Sequence, residues 1–386
     1  MKKNNKFNVS IVGISEVNNH AVNSYRAIHG DVINFGDITK IDSKKLPEIN
    51  VICGGSPCVN FSSQGNQIGS LCVCNTCGHA FDPLNNNLVA DICPECNSTT
   101  IKKSESALIV DWLRLFKDIR PKFAIFENVK NLLSKRFESS FQTFVQAVQD
   151  CGYNTYYENL NASDYMIPQH RERVIFLAIR KDIDNGKFQF PKPVGCMNIN
   201  DLLEPFPDEF KNSNQAVFVD EHITNSVRNN ILEELDLIIN STKNMQKLSK
   251  GFQSDNVVGI KYIPTLRAQN KNAIALQTCD TEQGKKYYIK QLTPREAFRF
   301  TGFSDEDYEK AAKVSSSNQI HKQAGNSIVV DVLYYTLLEL FKVLPELFTD
   351  IKVIDLFAGI GAFEAALKKV VNEKNAELEN QDKLSA

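Results

Sequence analysis

No stretch of this chain is apolar for long enough to span a bilayer, and its opening residues, MKKNNKFNVSIVG, are too polar at their centre for a secretion signal. A membrane-spanning or secreted protein is therefore not expected, and the chain reads as cytoplasmic. Charge of one sign is also lacking. The 44 Lys and Arg against 46 Asp and Glu leave a net charge of −2, so the whole chain does not announce a nucleic-acid partner. A local basic groove remains open, because the distribution of charge matters more than its sum. Internal repeats are absent. Ten cysteines without a secretion signal argue against a disulfide framework. What the chain does have is length: 386 residues with ordinary hydrophobic content are enough for a large core and two domains.

The segment FNVSIVGISEV (7–17) predicts a buried strand ending in Glu16, followed by a helix over NNHAVNSYRAIHG and a short polar strand ending FGDITKI. EINVICGG is a second buried strand and runs into SPCVNFSSQG. SESALIVDWLRLFKDI has helical spacing and stops before Pro121, while PKFAIFENV and RVIFLAIR are strands. This alternation predicts an α/β domain with a mostly parallel sheet. From about residue 186 the rhythm gives way to a stretch rich in proline and asparagine, so a smaller domain is expected over 186–290. LTPREAFRFTGF and QAGNSIVVDVLYYTLLELFKVL return helices to the first domain, which then covers 1–185 and 291–371. The polar end, 372–386, is expected to fray. One segment sits oddly. VIDLFAGIGAFEAAL (353–367) is a strand, a glycine-rich turn and a helix, which usually open a nucleotide-binding domain, yet only a short charged tail follows it here.

Three further signals carry chemistry. In GGSPCVNFS, glycines and a proline build a tight loop that presents Cys58 just past the carboxyl end of a strand, where α/β sheets place their sites. Cys53, inside the strand, reads as a structural cysteine. In FAIFENV, Glu127 ends an apolar strand, well placed to hand over a proton. In IPQHRERVIF, Arg171 and Arg173 fall on one side of an entering strand, suited either to ion pairs or to holding a ligand oxygen.

Five cysteines crowd between Cys72 and Cys96. Cys74-x-x-Cys77 and Cys93-x-x-Cys96 have the paired spacing of a zinc ribbon, each pair offering two thiolates to one tetrahedral Zn²⁺. Cys72 and His79 are possible substitutes without that spacing. The insert spans 72–100, and a four-cysteine site, having no open coordination position, would be structural.

Taken in order, the Pro–Cys loop, ENV, Gln-x-Arg-x-Arg, LTPREAFRFTGF and QAGNSIVV resemble the DNA (cytosine-5) methyltransferase family over nearly all of 7–367, apart from the middle domain and the cysteine insert. The resemblance implies a Rossmann-like S-adenosylmethionine-dependent methyltransferase domain with a smaller target-recognition domain. It also implies a circular permutation. In most of the family the glycine loop comes first and the cofactor-binding acid follows on the next strand, whereas here DLFAGIGAF lies at the end and SIVGISEV at the beginning.

The resemblance implies roles residue by residue. Cys58 is the nucleophile toward cytosine C6, Glu127 contacts N3 and the exocyclic amine, Arg171 holds O2, and Arg173 positions Glu127 or the nucleophile loop. Gly359 and Gly361 let the backbone approach S-adenosylmethionine, with Phe357 beside the adenine and Glu16 on the ribose. Asp37 and Ile38 match the adenine-side pair, and Asn326 and Ser327 the distal cofactor contacts. Ala362 stands where the family commonly has a third glycine, a slightly less permissive turn. In the middle domain Arg267, Gln269 and Asn270 are residue types that read base edges.

The expected partner is double-stranded DNA whose target cytosine is flipped out. The expected setting is a bacterial or phage restriction-modification system with a cognate endonuclease. A structural zinc module carried on the segment that in this family closes over DNA would touch the DNA backbone or the minor-groove side and help to hold the closed state. Two rivals are an RNA methyltransferase of the same family and a catalytically silent DNA-binding regulator. The sizeable middle domain speaks against the first, and the complete set Cys58, Glu127, Arg171 and Arg173 against the second.

Overall fold

The computed structural model describes residues 6–57, 60–61, 68–85, 89–213, 217–219, 262–268, 274–282 and 284–385, which fall into two compact units. The first comprises 1–160, 172–191 and 333–386, the second 161–171 and 192–332.

The first unit is built on a six-stranded sheet of β1 (Val9–Ser15), β2 (Val51–Gly54), β3 (Phe123–Val129), β4 (Tyr153–Asn161), β5 (Glu172–Arg180) and β6 (Ile351–Leu356). Their spatial order is β1-β6-β2-β3-β5-β4. The pairings β1–β6, β6–β2 and β2–β3 are parallel and β3–β5 is antiparallel, so the mostly parallel sheet expected from the alternation is present. The strand nearest the end of the chain, β6, lies one strand in from the sheet's edge, between β1 and β2. β2 and β3 are buried along their whole length, as suits strands covered on both faces.

Helices pack against the sheet for identifiable local reasons. Asn18 caps the helix Asn19–His29, accepting from His20 N at 3.0 Å, and Gly30 ends it at φ 99°. The helix Ile109–Ile119 buries Trp112, Leu113, Leu115 and Phe116, and the one acid it also buries, Asp111, faces Lys103 at 3.6 Å. Trp112 stacks on Phe116 at 5.2 Å and meets Phe126 of β3 at 5.4 Å, and Phe126 meets Phe144 at 5.2 Å. Truncating one of these rings to alanine would cost about 3–5 kcal/mol.

The charged end does not fray. The helix Ala362–Ser385 runs through it, with Val370 and Val371 buried at its base. Asn375 accepts from Phe7 N and donates to Phe7 O, both at 2.9 Å, and Glu379 pairs with Lys6. The polar composition misled because only the base of this helix faces apolar core, and beyond it the ties are the two bonds of Asn375 to the Phe7 backbone and the exposed Lys6–Glu379 ion pair.

The cysteine insert is a three-stranded antiparallel ribbon, with Cys72–Cys74 between Ala80–Phe81 and Ile101–Lys103. Its small core, Cys72, Phe81, Ala90 and Ala107, includes a residue at the start of the following helical segment.

In the second unit, Gly284–Gln291 pairs in parallel with Val217–Val219 and antiparallel with Ile274–Thr281. This unit extends past the expected boundary at 290 to Val332 and takes in 161–171. The helix Pro294–Arg299 stays with it through polar contacts. Buried Glu296 accepts from Lys290 Nζ at 2.7 Å and from Glu204 N at 2.8 Å, and Gln169 Nε2 donates to Phe300 O at 2.6 Å. The stretch Ser317–Val343 has the length and hydropathy to cross a bilayer, contrary to the expectation from the sequence. Its apolar window is 67% buried inside the protein, and it consists of two helices, Ser317–Asn326 and Val330–Val343.

Candidate active site and metal centre

The sheet register draws one line across the first unit. Ser15 pairs with Leu356, Leu356 with Gly54, and Gly54 with Phe126. One residue beyond that line stand Glu16, Phe357, Gly55 and Glu127, so residues far apart in sequence share the carboxyl edge of the parallel strands.

At the β1–β6 end, Glu16 accepts from Gly359 N at 3.0 Å through one carboxylate oxygen and from Asn18 N at 2.8 Å through the other. Phe357 N donates to Ser15 O at 2.8 Å. Phe357, Gly359 and Gly361 have φ of 59°, 55° and 85°, the left-handed backbone that curls the loop. A Cβ on Gly359 would meet nothing within 4 Å, so this part of the loop faces open space. One on Gly361 would lie 2.3 Å from His29 Nε2, which requires glycine there. Asp37 accepts from Thr39 N at 3.0 Å and begins the turn Ile38–Lys40, in which Ile38 is buried. Arg114 Nη2 holds Ile38 O at 2.8 Å.

Beneath the loop Asp355 is fully buried, and neither carboxylate oxygen has a hydrogen-bond partner among the described residues. Burial, and secondarily Glu364 and Glu16, hold its carboxyl well above the usual carboxylate range. The Tyr25 hydroxyl, pushed up by burial and by the Glu364 charge, donates to Glu364.

At the β2–β3 end, Cys58 lies outside the described residues, but its flank is well defined. Gly55 crosses directly over β3, where a Cβ would sit 2.3 Å from Glu127 O. Asn128 Nδ2 donates to Ser56 O at 3.2 Å, and Ser106 Oγ donates to Pro57 O at 2.8 Å. Glu127 is 9% exposed, and Arg173 Nε reaches its carboxylate at 2.9 Å. Glu172, beside Arg173, is held by Lys130 at 2.7 Å and Asn159 at 2.9 Å.

Arg171 belongs to the second unit and is 3% exposed. Its guanidinium donates to Leu266 O at 2.8 Å, Ser327 O at 2.7 Å and Gly325 O at 3.2 Å. Gln169 Oε1 accepts from Leu266 N at 3.0 Å, and Ile263 and Pro264 pair with Gln169 and His170. The Gln-x-Arg-x-Arg segment thus clamps the stretch leading to Arg267, which is half-buried. Asn326 closes the helix Ser317–Asn326, and Ser327 is buried after it. Gln269 and Asn270 lie outside the described residues.

In the insert, the Sγ atoms of Cys74, Cys77, Cys93 and Cys96 all lie within 4.8 Å of one another, with Cys74–Cys96 and Cys77–Cys93 each at 3.6 Å. A disulfide needs about 2.0 Å. A tetrahedron with Zn–S of about 2.3 Å has edges of about 3.8 Å, close to these separations. The two pairs also share a backbone turn. Gly78 N donates to Cys74 O and Asn97 N to Cys93 O, both at 2.9 Å, and Gly78 and Asn97 both have positive φ. The donor set therefore fits Zn²⁺, whereas Cys72 and His79 stand outside the cluster.

The sequence reading passed over three residues. Asn34 accepts from Glu16 N at 3.2 Å and Gly36 N at 3.0 Å while donating to Glu16 O at 2.9 Å. Asn128 and Ser106 hold the Pro–Cys loop. Asn128 is the middle residue of ENV and could have been found; Asn34 and Ser106 act through backbone atoms of other segments and carried no signal.

A Rossmann-like sheet with a glycine loop, an acid on the next strand and a buried Glu–Arg pair on the same edge defines a nucleotide-cofactor-dependent transferase. The sequence profile of C-5 cytosine-specific DNA methylase matches residues 2–71 and 96–342, and the chain belongs to that family. It is a DNA cytosine-5 methyltransferase. It is 32% identical over 311 residues to the type II methyltransferase M2.ScrFI of Lactococcus lactis subsp. cremoris, covering 80% of this chain and 71% of that one. It is 28% identical over 305 residues to the type II methyltransferase M.HhaI of Haemophilus parahaemolyticus, 78% of each chain. In fold it is similar to the Entamoeba histolytica methyltransferase EhMeth, at 15% identity and a TM-score of 0.52, covering 87% of this chain and 90% of that one.

Proposed function

We propose that the first unit methylates a flipped cytosine through Cys58, with the cofactor held at the β1–β6 end of the sheet edge and the base at the β2–β3 end. The observation that carries this is the shared line on which Glu16, Phe357, Gly55 and Glu127 stand. The residues present fit S-adenosylmethionine: a carboxylate at the strand end for ribose hydroxyls, a half-buried aromatic ring for adenine, and a glycine whose open side admits a ligand. When bound, S-adenosylmethionine supplies an electrophilic sulfonium methyl. Asn34 fixes the backbone of Glu16, and Asp37 and Ile38 supply the adenine side. Asn326 and Ser327 are proposed as distal contacts.

Cytosine C5 is a poor nucleophile until C6 is attacked. The Cys58 thiol gives its proton to water, its sulfur forms a bond to C6, and the C5–C6 π pair shifts to C5, which takes the methyl. Water then removes the C5 proton, and the electron pair left behind reforms the C5–C6 double bond as the S–C6 bond breaks and restores the thiolate. Glu127 holds N3 and the exocyclic amine as the ring gains electron density, and Arg173, bonded to Glu127, keeps that carboxylate oriented. Arg171 was expected at O2, but its donors on three carbonyls make it a positioning residue, and we assign the O2 contact to Arg173.

The second unit is proposed to recognise duplex DNA, with Arg267, Gln269 and Asn270 near base edges. The family profile begins at residue 2, skips 72–95 and ends before the glycine loop, which supports a permuted order and an added insert. The Cys74, Cys77, Cys93 and Cys96 cluster is proposed to hold one structural Zn²⁺. The type II bacterial relatives support a cytoplasmic modification enzyme of a restriction-modification system; a cognate endonuclease as functional partner rests on those relatives alone, since the phage relative M.SPRI is named an orphan methyltransferase. Transfer of tritiated methyl to duplex DNA, and not to RNA of the same sequence, is the expected result; incorporation into RNA alone would overturn this reading.

A further inference from the structure

We propose that the four-cysteine metal site positions the nucleophile loop, acting through Ser104 and Ser106, rather than serving as a DNA-contacting surface. This rests on reading the four cysteines as a metal site. The insert interrupts the chain between the Pro–Cys loop and the helix Ile109–Ile119. It returns at the strand Ile101–Lys103, which pairs with Cys72–Cys74. Immediately after that strand, Ser104 Oγ donates to Gly69 O at 2.9 Å and Ser104 N donates to Leu71 O at 3.0 Å. Two residues on, fully buried Ser106 donates to Pro57 O at 2.8 Å, the carbonyl that immediately precedes Cys58. Both ends of the nucleophile loop are therefore hydrogen-bonded to one tripeptide at the exit of the ribbon.

The metal would fix that exit. Cys74 is in the central strand of the ribbon, and Asn75 N donates to Thr100 O at 2.8 Å, so a cross-link from Cys74 and Cys77 to Cys93 and Cys96 locks the approach to 101–106. A second tie points the same way. Asp82 accepts from Ser70 and Ser140, joining the ribbon to the loop's far end and to the helix Glu138–Asp150. The charges disfavour a DNA-contacting role. The insert 72–100 carries Asp82, Asp91 and Glu95 and no Lys or Arg, and its exit strand adds Lys102 and Lys103. Lys103 is engaged by Asp91 at 2.6 Å and Asp111 at 3.6 Å. Such a surface has no excess of cations for phosphates.

Ser106 is thus a positioning residue, and its readout is the rate at which Cys58 is trapped on duplex DNA containing 5-fluorocytosine. The full chain would be compared with Ser106→Ala, with Cys77→Ser/Cys96→Ser, and with both combined. Zinc would be measured by elemental analysis, and cofactor and DNA affinity by titration. Ser106→Ala should keep one zinc per chain and its affinities within about twofold, yet trap about 10- to 100-fold more slowly, the scale of a small misplacement of a reacting group. The cysteine variant should lose zinc and trap at least as slowly, and the combined variant should be no slower than the cysteine variant, because both changes act through one path. Trapping at the parental rate by Ser106→Ala, or by the zinc-free variant, would overturn the proposal. So would a zinc-free variant whose whole deficit lies in DNA affinity. Zinc missing from metal-replete parent would refute the metal reading alone, and the Ser106→Ala arm would still report on the serine clamp.

Discussion

The carboxylate of Glu16 accepts the backbone N–H of Gly359 at 3.0 Å, joining residues 343 positions apart. One directly follows the first strand of the sheet and the other lies in the loop after the last. In a nucleotide-binding α/β fold the glycine loop and the following strand's acid work as one unit, and here the corresponding residues are hydrogen-bonded from opposite ends of the sequence. Parallel pairing of β1 with β6 is what brings them together.

If Glu16 serves the cofactor, Glu16→Ala should weaken S-adenosylmethionine binding by about 1.5–3 kcal/mol, the range for hydrogen bonds to charged groups. Calorimetric titration of the two proteins would read this directly. Equal affinities would remove Glu16 from the site.

The proposed permutation leads to a second expectation. Phe7 and Lys6 already lie against Asn375 and Glu379. Joining the present ends with a flexible linker and reopening the chain between Glu346 and Asp350 should therefore leave every sheet pairing intact. The rearranged protein should fold and retain methyl transfer. A native circular-dichroism melt without activity would show that the position of the break itself matters.

Asp355 makes stability depend on pH in a definite direction. Its carboxyl is raised well above its ordinary value near 3.8, so the folded state keeps a proton that the unfolded chain releases. Its contribution is fully present below about pH 4 and is lost as pH rises toward the folded-state value. Urea unfolding at pH 5 and pH 8 should show a smaller fall in stability for Asp355→Asn than for the parent. An identical fall in both would mean that Asp355 is ionised in the folded protein.

Much of this was legible in the residues. The apolar strands and the acids or cysteine at their ends announced the sheet edge, because burial and the position after a strand leave a pattern in sequence. The Cys-x-x-Cys pairs announced the ribbon because ligand spacing is local. The docked final helix was not legible, since Asn375 binds the backbone of Phe7 and its partner has no side-chain signature. Nor was the membership of 161–171 and 291–332 in the second unit, which depends on Gln169 and Glu296 bonding to atoms far along the chain. Arg171 and Arg173, two residues apart, were read as a pair, yet one donates to carbonyls of the second unit and the other to Glu127 of the first.

The most direct test is covalent capture. The protein, S-adenosylmethionine and duplex DNA carrying 5-fluorocytosine at the methylated position should form an adduct stable to denaturation, because fluorine at C5 cannot leave as a proton. Digestion and mass spectrometry should locate the DNA on Cys58. Cys58→Ala should form no adduct and transfer no methyl while binding cofactor and DNA nearly as well as the parent. An adduct on another residue, or one that persists in Cys58→Ala, would contradict the account.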